Sequence, residues 1–414
     1  MPTSKRSSHT LRRPSLKMAD IAPFHAMEIL GRAKELEARG RKIIHLEVGE
    51  PDFPTPGPIV EAGIQALHAG HTRYTAPLGI LALREAIADF YLRRYGVGVP
   101  AHRIVVTPGA STALQLALAT LIDPGDDVMV ADPGYPCNRN MVRLFQGGIV
   151  EVPLGSDTAY QLTPGLVSRH ATPATSAIVL TTPSNPTGAL APPKDMAGIL
   201  DEANRLNAGV VVDEIYLDLV YDDAVIADSA VTEGTSDLGH PHVGTALALS
   251  QEIFVINGFS KYFGMTGWRL GWMVVPGSFL HQIEKLAQNL YLSAPTMAQY
   301  AALAAFRPET LAILEERRRE FQRRRDFLLP ALRDMGFHIP LKPHGAFYLY
   351  ADCRSFTENS LLFAKELLEN AGVAITPGID FGRNAPARHV RFAYTTSMEN
   401  LREGVERLRR YLRG

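Results

Sequence analysis

Two cysteines, Cys137 and Cys353, are all that a chain of 414 residues contains. Thiols so few and so far apart supply neither a disulfide framework nor a thiolate metal site, and they fit a reducing, cytosolic compartment. No apolar run approaches the ~18 residues that suggest a membrane span, and no charged start is followed by an apolar core of the secretory kind. A surplus of either charge is missing too. The 42 basic and 43 acidic side chains leave a formal net charge of -1, so no global field draws the chain to nucleic acid or to an anionic membrane. The strand-like "VVVDE" lacks a Gly-x-Gly-x-x-Gly turn about 20 residues upstream, which removes the dinucleotide-binding reading of Asp213. Small-molecule chemistry is what these absences leave.

With 46% hydrophobic residues, the chain can bury a large core, and its length suits a large domain with a smaller partner. Short β-branched runs recur, each followed by a polar or turn-rich cluster and then a helical pattern: "IVVTPGAS", "DVMVADPGYP", "SAIVLTTPSNPTG", "GVVVDEIY" and "IFVINGFSK". This alternation predicts an α/β fold with a mostly parallel sheet, whose ligands gather outside the carboxyl ends of the strands. A smaller α+β domain is expected from both chain ends. "KIIHLEV", "GAFYLYAD", "GVAITPGIDFG" and "HVRFAYTT" are its strands, and "MENLREGVERLRRYLRG" is a helix with Leu401, Val405, Leu408 and Leu412 on one face. The expected divisions are residues 19–58 and 306–414 for the small domain and 59–305 for the large one. Residues 1–18, basic and serine-rich, form an expected disordered extension; an upstream start codon before Met18 or a targeting signal are its alternative origins. In "ILEERRREFQRRRDFLLPALRDMG" the seven-residue spacing of Leu314, Phe321 and Leu328 predicts a long helix. Its arginines, interspersed with Glu, are expected on a solvated face.

Three residues at predicted strand ends carry chemistry. Asp213 closes "VVVD", where an unpaired carboxylate is costly; it reads as a helix cap or as the partner of a protonated ring nitrogen. Lys261 lies among small residues in "NGFSKYFGMTGWRLGW", where an amine is a surface group or the Schiff-base partner of an aldehyde cofactor. Arg269 offers a forked cation to a phosphate, and "TPGAS" offers backbone N–H groups at a strand-to-helix turn.

"GEPDF", "YTAPLGI", "DPGYP", "SNPTG", "DEIY", "SKYFGMTGWRLGW" and "VRFAY" occur in the order and spacing of the pyridoxal-phosphate-dependent class I/II aminotransferases of fold type I, which the chain resembles from about Ala19 to its end. The resemblance implies pyridoxal 5'-phosphate as cofactor, held by Lys261 as a Schiff base. Lys261 is then also the base that moves the substrate Cα proton. Asp213 pairs with the pyridine nitrogen, Tyr216 and Asn185 bond the phenolate oxygen, and Tyr135 stacks on the ring. Ala110, Ser111 and Arg269 hold the phosphate, with Tyr74 reaching it from the neighbouring subunit, so a homodimer with shared sites is implied. Arg391 matches the arginine that grips the substrate α-carboxylate, approached also by Gly49 and Asn185.

The chain departs from the pattern at Gly258, where some branches carry a phosphate-binding Ser. At Ser111, bacterial aspartate-type relatives carry a Lys for a distal carboxylate, and "LAQNLYLSAPTM" lacks the Arg that animal-type relatives use instead. A neutral amino donor is therefore expected, with a 2-oxo acid as acceptor in a ping-pong reaction. A C–S β-lyase on the same fold is the alternative, and a transcription regulator lacks room for an N-terminal DNA-binding domain.

Overall fold

A computed structural model of the chain describes residues 13–221 and 244–413. Every run predicted as a strand forms one. In chain order the strands are β1 (Ile44–Leu46), β2 (Ile104–Thr107), β3 (Asp127–Asp132), β4 (Gly148–Pro153), β5 (Thr175–Thr181), β6 (Gly209–Asp213), β7 (Phe254–Gly258), β8 (Gly271–Val274), β9 (Tyr348–Asp352), β10 (Val373–Pro377) and β11 (His389–Ala393). They make two sheets, ordered β2-β8-β7-β6-β5-β3-β4 and β1-β10-β11-β9. In the larger sheet only β8 runs antiparallel to its neighbours. Its central strands are apolar without alternation, because both faces are covered: Ile178 to Leu180, Val210 to Val212 and Phe254 to Ile256 are all buried. The smaller sheet combines β1 with three strands from the C-terminal end, the α+β arrangement expected of the two chain ends.

Two strands escape the sequence reading. β4 is a half-buried edge strand, and β8 is a short strand hidden inside the glycine-rich motif. β8 fixes that motif's geometry, since Gly258 on β7 pairs with Gly271 on β8. A Cβ on Gly271 would lie 2.6 Å from the Ala110 amide nitrogen, so only glycine lets helix Ala110–Leu121 begin directly on the strand. A Cβ on Gly258 would stand 3.1 Å from Ile215 Cδ1 and 3.2 Å from Gly271 Cα. The position is tightly packed, which gives the departure there a physical reason.

Helix Pro308–Met335 buries Leu314, Phe321 and Leu328 as expected. The expectation of a wholly solvated arginine face fails. Arg318 and Arg325 are fully buried and Arg324 is 3% exposed, because this helix is covered on more than its leucine stripe. Arg318 bonds Glu315 at 2.8 Å and the Val220 carbonyl at 3.1 Å. Arg324 forks onto Asp52, and Arg325 donates to the Pro343 carbonyl at 2.7 Å. The last helix, Met398–Leu412, buries Leu401, Val405 and Leu408, with Leu412 only partly covered at its end. Residues 1–12 of the expected N-terminal extension lie outside the described residues. Within the rest, Leu16–Ala19 forms a single 3-10 turn.

Candidate active site

The carboxyl ends of β5 and β6 and the segment following β7 open onto one cavity of about 420 Å³. That volume suits a small-molecule or cofactor site. The structure brings Gly49, Ala110, Ser111, Tyr135, Asn185, Asp213, Tyr216, Lys261, Arg269 and Arg391 to its walls. Tyr74 alone among the sequence-predicted residues is elsewhere, 80% exposed on the surface.

Asp213 ends β6 with its carboxyl buried and accepting the Ile215 amide at 3.1 Å. Burial raises its pKa from 3.8 to about 6, opposed by that amide and by the charge of Lys261. Lys261 is half-buried, its amine donating to the Gly49 carbonyl at 2.6 Å. Desolvation brings it down from 10.5 to about 8, opposed by Glu50 and Asp213 and assisted by Arg391 and Arg269. Two groups of opposite charge are thus each pushed toward neutrality by one enclosure.

Arg269 sits in the left-handed region at φ 53°, its backbone turned so that the guanidinium lies against Gly109. A Cβ on Gly109 would be 2.7 Å from Arg269 Nη2, and Gly109 itself has φ +88°. The glycine therefore lets the guanidinium and the first amides of helix Ala110–Leu121 share one corner. Those amides have no partner within the helix, so the corner could hold an anion.

Arg391, which also lines the cavity, is 2% exposed. Its Nη1 donates to Asn185 Oδ1 at 2.9 Å, and its Nη2 donates to the Glu47 carbonyl and to Thr376 Oγ1 at 3.2 Å. The guanidinium also stacks over Tyr348, 4.3 Å from the ring centroid. A planar cation so held presents a fixed fork. The Tyr216 and Tyr348 hydroxyls meet at 2.7 Å, and a Cβ on Gly49 would lie 1.9 Å from the Tyr348 oxygen.

The sequence profile described as "Aminotransferase class I and II" matches residues 41–408. The chain belongs to that family. It is 37% identical over 399 residues to the (5-formylfuran-3-yl)methyl phosphate transaminase of Methanocaldococcus jannaschii, covering 96% of this chain and 99% of the relative. To the aspartate/prephenate aminotransferase of Thermus thermophilus it is 35% identical over 404 residues, covering 97% and 99%. The crystal structure of an aminotransferase from Mycobacterium tuberculosis superposes with a TM-score of 0.90 at 34% identity, over 97% of this chain and 100% of that one. The chain is accordingly a transferase, with the fold of the pyridoxal-phosphate-dependent aminotransferases of fold type I.

The structure adds cavity residues of this aminotransferase that sequence reasoning had not singled out: Phe24, Met27, Leu30, Glu47, Glu50 and Tyr348. Tyr348 could have been suspected from its place in "GAFYLYAD", and Glu47 from standing two residues after His45 in "HLE". Phe24, Met27 and Leu30 gave no local signal, because they read as the apolar side of an ordinary helix. His25, in the same segment, pairs with Asp380 at 2.8 Å. Asp380 also accepts the His25 and Ala26 amides at 2.9 Å each, capping the start of helix His25–Ala38.

Proposed function

We propose that this aminotransferase uses pyridoxal 5'-phosphate to move the amino group of a neutral α-amino acid to a 2-oxo acid, in two half-reactions that alternate on one site. The observation that carries the reading is the cavity itself, where an amine depressed to about 8 and a carboxyl raised to about 6 share the space with two arginines. The residues fit the cofactor. The corner formed by Arg269, Ala110 and Ser111 suits a phosphate, and the buried Asp213 carboxylate suits a protonated ring nitrogen. When bound, the cofactor supplies an electron sink for the substrate Cα.

Lys261 holds the cofactor, and its amine, titrating near neutrality, serves as the base that moves a proton at the substrate Cα. Asp213 holds the ring proton in place. Tyr216 and Asn185 donate to the ring oxygen, and Tyr135 covers one ring face. Arg391 grips the α-carboxylate, with Gly49 and Asn185 beside it. Tyr74 reaches the phosphate of a second copy's site, so the working unit is a homodimer in the cytosol.

Substrate class follows from the charges available. Among the described residues, the cations lining the cavity are Lys261, Arg269 and Arg391, and each has a task. Ser111 provides no charge, and Phe24, Met27 and Leu30 are apolar. A second substrate carboxylate would lie desolvated without a partner. The test is single turnover with a panel of donors. Alanine, leucine, methionine or phenylalanine should each yield one equivalent of 2-oxo acid per site without free ammonia. Aspartate exceeding them tenfold in kcat/KM, about 1.4 kcal/mol of transition-state binding, would overturn the donor class, and stoichiometric ammonia would indicate the lyase.

A further inference from the structure

Beside Arg391 lies a buried acid for which the reaction has no use. Glu47 is 0% exposed. Its Oε1 meets His45 Nδ1 at 2.7 Å, and its Oε2 is buried with no hydrogen-bond partner. The other ring nitrogen of His45 meets Glu37 Oε1 at 3.0 Å, and Lys34 bonds the second Glu37 oxygen at 2.9 Å. The chain of contacts therefore runs from the surface to the cavity wall. The backbone carbonyl of Glu47 is where Arg391 Nη2 is seated, and it also accepts Thr376 Oγ1 at 2.8 Å. One residue thus anchors the guanidinium through its main chain and carries a dry carboxyl on its side chain.

That arrangement has an electrostatic consequence. A buried negative charge beside an anion site opposes the anion, with little water to screen it. A cation on Glu47 offsets the conflict, and the ring in contact with it is His45. Of the charged groups on elements packed against β1, Glu37 on helix His25–Ala38 faces the ring directly and itself has Lys34 as partner. Arg391, on β11, contacts the Glu47 main chain. On helix Met398–Leu412, Glu403 is held by Lys42 and Arg407. β10 has no charged residue between Val373 and Pro377.

We propose that His45 is a positioning residue for the carboxylate grip: its protonated ring neutralises Glu47 and holds the Glu47 main chain under Arg391, and loss of that proton weakens substrate carboxylate binding. This rests on the reading of Arg391 as the carboxylate fork. The hydrogen bond to Glu47 raises the pKa of His45 above its ordinary 6.5, against the desolvation that lowers it. The protonated ring is therefore the form that the site favours, and the grip loosens as pH rises through the histidine's titration.

The experiment uses the holoenzyme and 4-methylpentanoate, a carboxylate with no amino group to titrate. Its Kd is measured by calorimetry from pH 5.5 to 9, and the His45 ring is followed by NMR with labelled histidine. In the wild type, Kd should rise on the order of tenfold as His45 loses its proton, and saturating ligand should move the His45 titration upward, as reciprocal linkage requires. Glu47→Gln should remove that part of the pH dependence. His45→Gln should bind weakly at every pH, and if it fails to fold, the wild-type NMR titration still decides. A Glu47→Gln profile parallel to that of the wild type, or a His45 titration indifferent to the ligand, overturns the proposal, provided that Arg391→Met has lost binding. If Arg391→Met binds the acid as tightly as the wild type, the carboxylate reading of Arg391 falls, and the proposal with it.

Discussion

Asp213 and Lys261 stand on opposite sides of neutrality, and the signs can be followed. Asp213 has its pKa raised to about 6 from an ordinary 3.8, so its contribution to stability is present below the ordinary value and is lost as pH rises through about 6. Lys261 is lowered to about 8 from 10.5, so its contribution is present above 10.5 and is lost as pH falls through about 8. Between about 6 and 8 both groups are charged in poor surroundings. In protein stripped of cofactor, Asp213→Asn should therefore raise the Tm relative to wild type at pH 7.5, with a gain on the order of 2–3 kcal/mol at most. That gain should shrink as pH falls through about 6 toward 4, and a flat difference across this range would refute the assignment. The same variant should slow Cα proton removal by about 10²–10³-fold in single turnover while cofactor binding persists. Lys261→Ala should abolish turnover, and borohydride reduction of the wild-type holoenzyme should leave a cofactor-sized mass on Lys261 and no other lysine. These residues were legible in sequence because each falls at a strand end in a motif with its own spacing. Glu47 and His45 offered only the weak signal of their two-residue spacing, because an acid and a histidine at the end of a short strand look like any solvent-facing pair until the fold buries one of them.

Among the elements, helix Pro308–Met335 separates what pattern can reveal from what it cannot. Its leucine and phenylalanine spacing identified the helix and its core face. The fate of its arginines depended on Pro343 just beyond the helix and on Val220 and Asp52, which lie far away in sequence, and no window within the helix contains that information. Arg94 and Tyr262 belong to the same buried ionic group, both bonded to Glu315. Truncating one member of such a group weakens the compensation of the buried charges that remain. Arg318→Ala should cost about 3–5 kcal/mol and lower Tm accordingly, whereas Arg319→Ala on the exposed side should stay within about 0.5 kcal/mol. Equal losses in thermal denaturation would contradict the burial pattern. β8 was missed for another reason: a short strand among glycines has no period to read, whereas β4 carries the β-branched residues Ile149, Val150 and Val152 and was legible, although not singled out.

For the molecule as a whole, the mostly parallel character of the large sheet and the smaller α+β unit drawn from both chain ends were legible, because alternating strand and helix patterns restrict the topology; the order of the strands was not. The proposed role of Tyr74 depends on assembly. Its exposure in one copy fits a role completed by a second, so mixing Lys261→Ala subunits with Tyr74→Phe subunits, each inactive or nearly so alone, should restore some activity in heterodimers. If Tyr74→Phe is severely impaired alone and the mixture stays dead, the shared site is wrong. The contact between Gly49 and Tyr348 has a different reach, into the history the sequence can have. The Tyr348 oxygen occupies the space where any other residue at position 49 would place its first carbon, so the two positions cannot drift independently. In a library of random variants, position 49 should stay almost empty of anything but glycine while Tyr348 is intact, and descendants that leave glycine should first have exchanged the tyrosine for something much smaller.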